Sequence, residues 1–156
     1  MAFTHIDGRL VHWRESGPRE APAVVLVNSL GTDFRIWEEV AAALSRAWRV
    51  IVYDKRGHGL SEVPPGPYAI SDFTNDLIAL ADHVGLPRFS LVGLSIGGLI
   101  GQDMAVRAPE RLAALVLADT APKVGSAESW NARITAVRAG GLAAIADPVM
   151  ERWFTP

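Results

Sequence analysis

Cysteine is absent from this 156-residue sequence. That excludes disulfides and thiolate-held metals, and it fits a reducing compartment. An excess of either charge is missing too. Fifteen Lys and Arg stand against 17 Asp and Glu, a formal net charge of −2, and the signs are interspersed, so no basic stripe is present to hold nucleic acid or an anionic membrane. No apolar run is long enough to cross a bilayer. The first residues, Met1 to Gly8, lack the basic segment and apolar core of a secretory leader, so the expected setting is cytoplasmic. Repeats and low-complexity tracts are absent. Histidine is sparse and unevenly placed: His5, His12, His58 and His83 are the only four, and none follows residue 83.

What is present reads as one α/β domain with an appendage. An apolar content of 49% over this length is enough to bury a core. Phe3 to Ile6 and Arg9 to Glu15 alternate around Asp7-Gly8, a two-residue turn suited to paired strands, and predict a hairpin. Ala23 to Val27, Trp48 to Tyr53, Phe89 to Leu94 and Leu112 to Ala118 are continuous apolar runs of the kind buried on both faces of a parallel sheet. Between them, Phe34, Trp37, Val40, Ala41 and Leu44 mark a helix over 34–47. Ser71 is the expected cap of a second helix with a stripe of Leu77, Ile78, Ala81 and Val84. The loop from Asp54 to Ile70 holds Pro64, Pro65 and Pro67 and is expected to be irregular. A third helix opens at residue 95 and ends at Pro109. Strands alternating with helices predict a mostly parallel sheet with right-handed crossovers. Past Asp119 the pattern changes to two helices, Ala127 to Ala139 and Leu142 to Phe154, which read as an insertion. The expected division is a core over 1–122 and the start of a helical lid over 123–156.

The stretch Val92-Gly93-Leu94-Ser95-Ile96-Gly97-Gly98 joins a strand to a helix through Gly-x-Ser-x-Gly. Such a turn exposes a serine Oγ above the sheet and leaves the next backbone N–H, that of Ile96, free for a developing negative charge. Ser95 is therefore the candidate nucleophile. Acyl transfer needs a second donor as well, and Asn28-Ser29-Leu30-Gly31-Thr32, after the first buried parallel strand, is where this architecture supplies it; the N–H of Leu30 is the candidate.

With these segments in view the chain resembles an α/β-hydrolase, and most specifically the β-ketoadipate (3-oxoadipate) enol-lactone hydrolases. The resemblance rests on Asn28 to Asp33, on Tyr53-Asp54-Lys55-Arg56-Gly57-His58-Gly59-Leu60-Ser61, on the elbow, on Leu117 to Ala121, and on the lid-like Ser129-Trp130-Asn131-Ala132-Arg133-Ile134 and Glu151 to Pro156. The elbow and the Asp-x-Arg-Gly-His-Gly-x-Ser stretch belong to the superfamily at large; Asn28-Ser29 and the lid residues point to the enol-lactonases. The resemblance implies hydrolysis of a small ester or lactone without metal or organic cofactor. General esterase or cofactor-free perhydrolase activity, and a non-catalytic binding role, are the alternatives on the same scaffold. An enol-lactone product bears carboxylates, so a cation is expected at the substrate: Arg133 first, Arg138 behind it, with Trp130 as a further substrate-binding candidate. Solvated arginines on an amphipathic helix are the plainer alternative.

In this family the triad acid and histidine follow the lid, in the order Ser, Asp, His. Neither is found here in that position. Asp119, at a strand end, is the weaker candidate acid, and His58 is expected to hold a loop corner, not to act as a base. The chain is thus expected to be the N-terminal part of a hydrolase whose C-terminal strands, acid and histidine lie elsewhere, in the same or a separate chain that would be its partner. Alone it is expected to lack triad-dependent turnover and to present the 112–118 strand as an unpaired edge prone to association.

Overall fold

The computed structural model describes residues 2–155, and the chain divides into two compact units, Met1–Pro122 and Lys123–Pro156. The first is built on one six-stranded sheet. β1 (Ala2–Ile6) and β2 (Arg9–Ser16) form an antiparallel hairpin. Its turn has Asp7 at φ 49° and Gly8 at φ 77°, the handedness that matches the twist of paired strands. β3 (Ala23–Val27), β4 (Arg49–Tyr53), β5 (Phe89–Leu94) and β6 (Leu112–Ala118) follow, and the order across the sheet is β1-β2-β4-β3-β5-β6. β2 meets β4 antiparallel, whereas β4, β3, β5 and β6 run parallel to their neighbours. The chain leaves β3 for β4 on one side and later enters β5 on the other. In open α/β sheets, ligands bind beyond the strand carboxyl ends at such a reversal.

Period-two alternation explains why the central strands are apolar throughout. Val25 and Val27 of β3 join Ile51 and Tyr53 of β4 and Leu91 of β5 on one face. There they meet Phe73, Leu77 and Leu80 of α2 (Ile70–His83) and Ile100 and Met104 of α3 (Ile96–Arg107). Val24, Leu26, Val50 and Val52 point the other way, onto Phe34, Trp37 and Ala41. Each fully buried aliphatic side chain of this kind stabilises the fold by about 1.5–3 kcal/mol. Among the described residues no helix is long and apolar enough to cross a membrane.

In the first unit, two helices differ from the sequence expectation. The segment expected as one helix over 34–47 is a 3₁₀ turn, Phe34–Trp37, followed by a short α1 (Glu38–Leu44). Asp33 Oδ1 accepts the Arg35 N–H (2.9 Å) and Asp54 Oδ1 accepts the Phe34 N–H (2.9 Å), tightening that first turn. Three residues per turn advance the phase, so Val40, expected inside, is 43% exposed. In α2 the cap is Ala69, not Ser71, because the Asp72 carboxylate reaches back to accept the Ala69 N–H at 2.7 Å. The buried stripe then runs through Phe73, Leu77, Leu80 and Ala81.

Asp54, just beyond β4, ties the hairpin side of the sheet together. Its Oδ2 accepts the Leu60 N–H (3.0 Å) and lies 2.7 Å from His12 Nδ1. The His12 ring is sandwiched between Phe3 and Phe34 at 4.6 and 4.7 Å. β6 closes the other end of the sheet and pairs only with β5 among the described residues, leaving Val116 and Leu117 exposed. In the second unit, α4 (Ala127–Gly140) is capped by reciprocal Ser126 and Ser129 hydrogen bonds. The expected helix over 142–154 is a 3₁₀ turn, Leu142–Ile145, and then α5 (Ala146–Trp153).

Replacing Asp54 with alanine leaves two backbone N–H groups and a buried imidazole without their acceptor. At roughly 1–3 kcal/mol for each unsatisfied buried donor, Asp54→Ala is expected to destabilise the chain by about 3 kcal/mol or more in urea denaturation; a loss below about 1 kcal/mol would remove Asp54 from this structural role.

Candidate active site

β5 ends at Leu94 and α3 begins at Ile96, so one residue makes the turn. That residue is Ser95, at φ 56° and ψ −115°, a conformation in which a Cβ is strained. Its backbone is held on both sides. The Ser95 N–H donates to the Ala118 carbonyl (3.0 Å), and the Ser95 carbonyl accepts from Gly98 N–H (2.8 Å), Leu99 N–H (3.2 Å) and Thr120 Oγ1 (2.8 Å). The turn is possible because two neighbours lack side chains. A Cβ at Gly93 would collide with the Gly97 carbonyl, and one at Gly97 would collide with the Val27 carbonyl at the end of β3. Ser95 Oγ has no hydrogen-bond partner among the described residues, and the Ile96 N–H opens α3, where no intrahelical acceptor exists and the helix dipole is positive.

The register Val27↔Gly93 brings the loop after β3 to the same sheet edge as this turn. Within the loop Asn28 and Ser29 are buried. Asn28 Nδ2 donates to the Thr32 carbonyl and to Thr32 Oγ1, and Thr32 Oγ1 donates to the Ser29 carbonyl at 2.9 Å. Beneath the loop lies Lys55, 1% exposed, whose Nζ donates to the Asn28 carbonyl (2.9 Å) and the Ser29 carbonyl (3.2 Å). The Leu30 N–H has no acceptor among the described residues. The two sequence-predicted donors, Leu30 and Ile96, thus follow adjacent strands at one edge, with Ser95 between them in the chain's winding.

Lys55 is a part of this arrangement that sequence reading passed over. Burial pulls its pKa down from 10.5 to about 7, against the opposing influence of Asp54. His58, in the same loop, is also lowered, by burial first and then by the Lys55 charge. Thr120 was likewise not foreseen; it anchors the elbow from the end of β6. A buried lysine in a loop motif carries no mark that separates it from a solvated one, and Thr120 acts only through a contact 25 residues away in sequence.

The histidines are engaged elsewhere. His5 and His83 are exposed, His12 faces Asp54, and His58 Nδ1 lies 3.0 Å from the Arg56 carbonyl. Asp119 is exposed at φ 44°. In the second unit the Arg133 guanidinium stacks 5.5 Å from the Trp130 ring centre, Trp130 Nε1 donates to the Val124 carbonyl (2.7 Å), and Arg138 is exposed.

Comparison with known proteins gives a consistent result. The family model for the alpha/beta hydrolase fold matches residues 22–138. Over 140 residues the chain is 44% identical to 3-oxoadipate enol-lactonase 2 of Acinetobacter baylyi, covering 90% of this chain and 52% of that protein. It is 34% identical to 3-oxoadipate enol-lactonase 1 of the same organism, covering 99% of this chain and 58% of that one. The crystal structure of the enol-lactonase from Burkholderia xenovorans LB400 superposes with a TM-score of 0.95 at 44% identity, covering 99% of this chain and 60% of that structure. The chain therefore spans about half the length of the curated relatives it matches.

The depressed Lys55 pKa has a consequence for stability. The unfolded chain keeps a proton on Lys55 up to about pH 10.5, the folded chain only to about 7. Between those values the unfolded state binds more protons, so this group makes stability rise with pH, by up to about 1.4 kcal/mol per pH unit. Chemical denaturation of the wild-type chain and of Lys55→Met at pH 7, 8, 9 and 10 is expected to show a rising difference curve; parallel curves would mean that Lys55 titrates as it does in water.

Proposed function

This chain belongs to the α/β-hydrolase family, and on that premise we propose that it serves the hydrolysis of a carboxylic ester or lactone, 3-oxoadipate enol-lactone first, with Ser95 as the nucleophile. Ser95 Oγ attacks the substrate carbonyl, and the N–H groups of Leu30 and Ile96 receive the negative charge that develops on its oxygen. Collapse of the tetrahedral intermediate expels the ring oxygen as an enol, which relaxes to the ketone and makes ring opening strongly downhill. Water then hydrolyses the acyl-serine. The base that takes the serine proton is a histidine from outside the described residues, since each of the four present is engaged or exposed elsewhere. Neither metal nor organic cofactor is required by this route.

The observation that carries the reading is Ser95 itself: a non-glycine residue at positive φ between strand and helix, whose Oγ, like the N–H of Ile96 that opens the helix, has no hydrogen-bond partner among the described residues. The names of the relatives support the choice of substrate. Arg133 is proposed as the cation that receives the substrate carboxylate, with Trp130 stacked on it and Arg138 as a second, exposed cation.

Labelling the product of the complete gene with a fluorophosphonate and mapping the adduct is expected to place it on Ser95 and to fail in Ser95→Ala; an adduct elsewhere, or full activity in that variant, would overturn the assignment. For the substrate, Arg133→Ala is expected to raise the KM for the enol-lactone about 10-fold or more, as loss of a charge-assisted hydrogen bond does, while leaving neutral esters unaffected. An unchanged KM, or neutral esters cleaved as well as the lactone, would falsify the carboxylate role.

A further inference from the structure

We infer that Lys55 is a positioning residue for the oxyanion-binding N–H of Leu30, acting through the Ser29 carbonyl. The role rests on the serine chemistry proposed above. The only cis peptide bond among the described residues is Gly66-Pro67, so the Ser29-Leu30 peptide is trans, and in a trans peptide the C=O and the N–H point in opposite directions across a rigid plane. Whatever holds the carbonyl therefore sets the direction of the N–H. The Ser29 carbonyl accepts from Thr32 Oγ1 at 2.9 Å, from Lys55 Nζ at 3.2 Å and from Asn28 Nδ2 at 3.4 Å, and Ser29 and Lys55 are both buried. With its carbonyl turned inward to these donors, the peptide turns the Leu30 N–H the opposite way, out of the buried side. The same ammonium also holds the preceding carbonyl, that of Asn28, at 2.9 Å, so one side chain fixes two successive peptide planes leading to Leu30.

The lysine is itself well anchored. Its backbone carbonyl accepts the His58 N–H at 2.9 Å, and the ammonium is aimed at the loop after the neighbouring strand β3. Below about pH 7, where Lys55 keeps its proton, the donor is charge-assisted and holds carbonyls more tightly than a neutral one. Burying an ammonium is costly unless its hydrogen bonds are made, and here both named acceptors are main-chain oxygens of the loop that carries Leu30. Of these two carbonyls, Thr32 Oγ1 and Asn28 Nδ2 reach only that of Ser29; Lys55 is the donor that holds both.

The test uses the product of the complete gene in three forms: wild type, Lys55→Met, and Lys55→Gln. The glutamine keeps an N–H donor without the charge and covers the case in which the methionine variant does not fold. Active sites are counted by fluorophosphonate labelling of Ser95, and kcat and KM for an activated ester are referred to labelled sites. A misaimed oxyanion donor should lower kcat per site about 10- to 100-fold in Lys55→Met with KM within about twofold, and lower it less in Lys55→Gln. A merely structural lysine would instead reduce the number of labelled sites and leave turnover per site intact. Crystal structures of the variants supply a second readout, the expected result being a rotated Ser29-Leu30 plane with Ser95 unmoved. Turnover per site within twofold of wild type, or an unrotated plane, in whichever variant folds would overturn the role while leaving the serine reading standing; absence of wild-type labelling at Ser95 would remove both.

Discussion

The contact on which the rest of the site depends is main chain against main chain. The first turn of α3 rests on the ends of β3 and β5, with Gly97 over the Val27 carbonyl and Gly93 under the Gly97 carbonyl. A Cβ at Gly93 would lie 2.2 Å from the Gly97 carbonyl oxygen and one at Gly97 2.3 Å from that of Val27, so a side chain at either position would push the helix off the sheet. That would part the Ile96 N–H from the loop after β3 and swing Ser95 away from both. The strand order serves the same contact, because β3 and β5 are neighbours only through the reversal of winding between β4 and β5. An amphipathic helix pressed on a sheet is held by its apolar stripe; α3 is held there too, but its N-terminal turn is located by backbone crowding, which tolerates far less slack.

Behind the turn, two consecutive ionisable residues, one acidic and one basic, divide the work of support. Asp54 gathers backbone N–H groups, those of Phe34 and Leu60, together with the His12 ring. Lys55 gathers backbone carbonyls, those of Asn28 and Ser29. Each is costly to bury alone, and each is hydrogen-bonded by main chain that cannot retreat into solvent. The acid thus organises the hairpin side and the base organises the loop on the nucleophile side, from adjacent positions at the end of one strand.

The parts of this structure legible in the sequence were those written in local periodicity and in backbone-limited turns. Apolar runs marked β3 to β5 because both faces of each are covered, and marked β6 too, although four of its seven residues are exposed at the sheet edge; Asp7-Gly8 marked the hairpin because few pairs adopt two successive positive φ values. Gly-x-Ser-x-Gly marked the elbow for the same steric reason. What escaped was what depends on partners distant in the chain. The tight turn at Phe34 answers to Asp54, 20 residues on; the phase of α1 shifts in consequence, and Val40 turns outward. The start of α2 was misplaced because Asp72 competes for the role that Ser71 was expected to fill. Lys55 could be named in the sequence but not weighed, since only the fold shows that its ammonium ends among carbonyls.

One consequence of the Ser95 backbone concerns evolutionary drift. A non-glycine residue in that conformation costs on the order of 1–3 kcal/mol, and glycine at the same place would not bear it. Selection or screening for stability alone therefore pulls residue 95 toward glycine, the one replacement that keeps the turn and discards the hydroxyl. A lineage released from its chemistry would be expected to lose the serine early while keeping Gly93 and Gly97, so the pattern of change at these three positions would record whether a descendant still makes use of the elbow or has inherited only its shape.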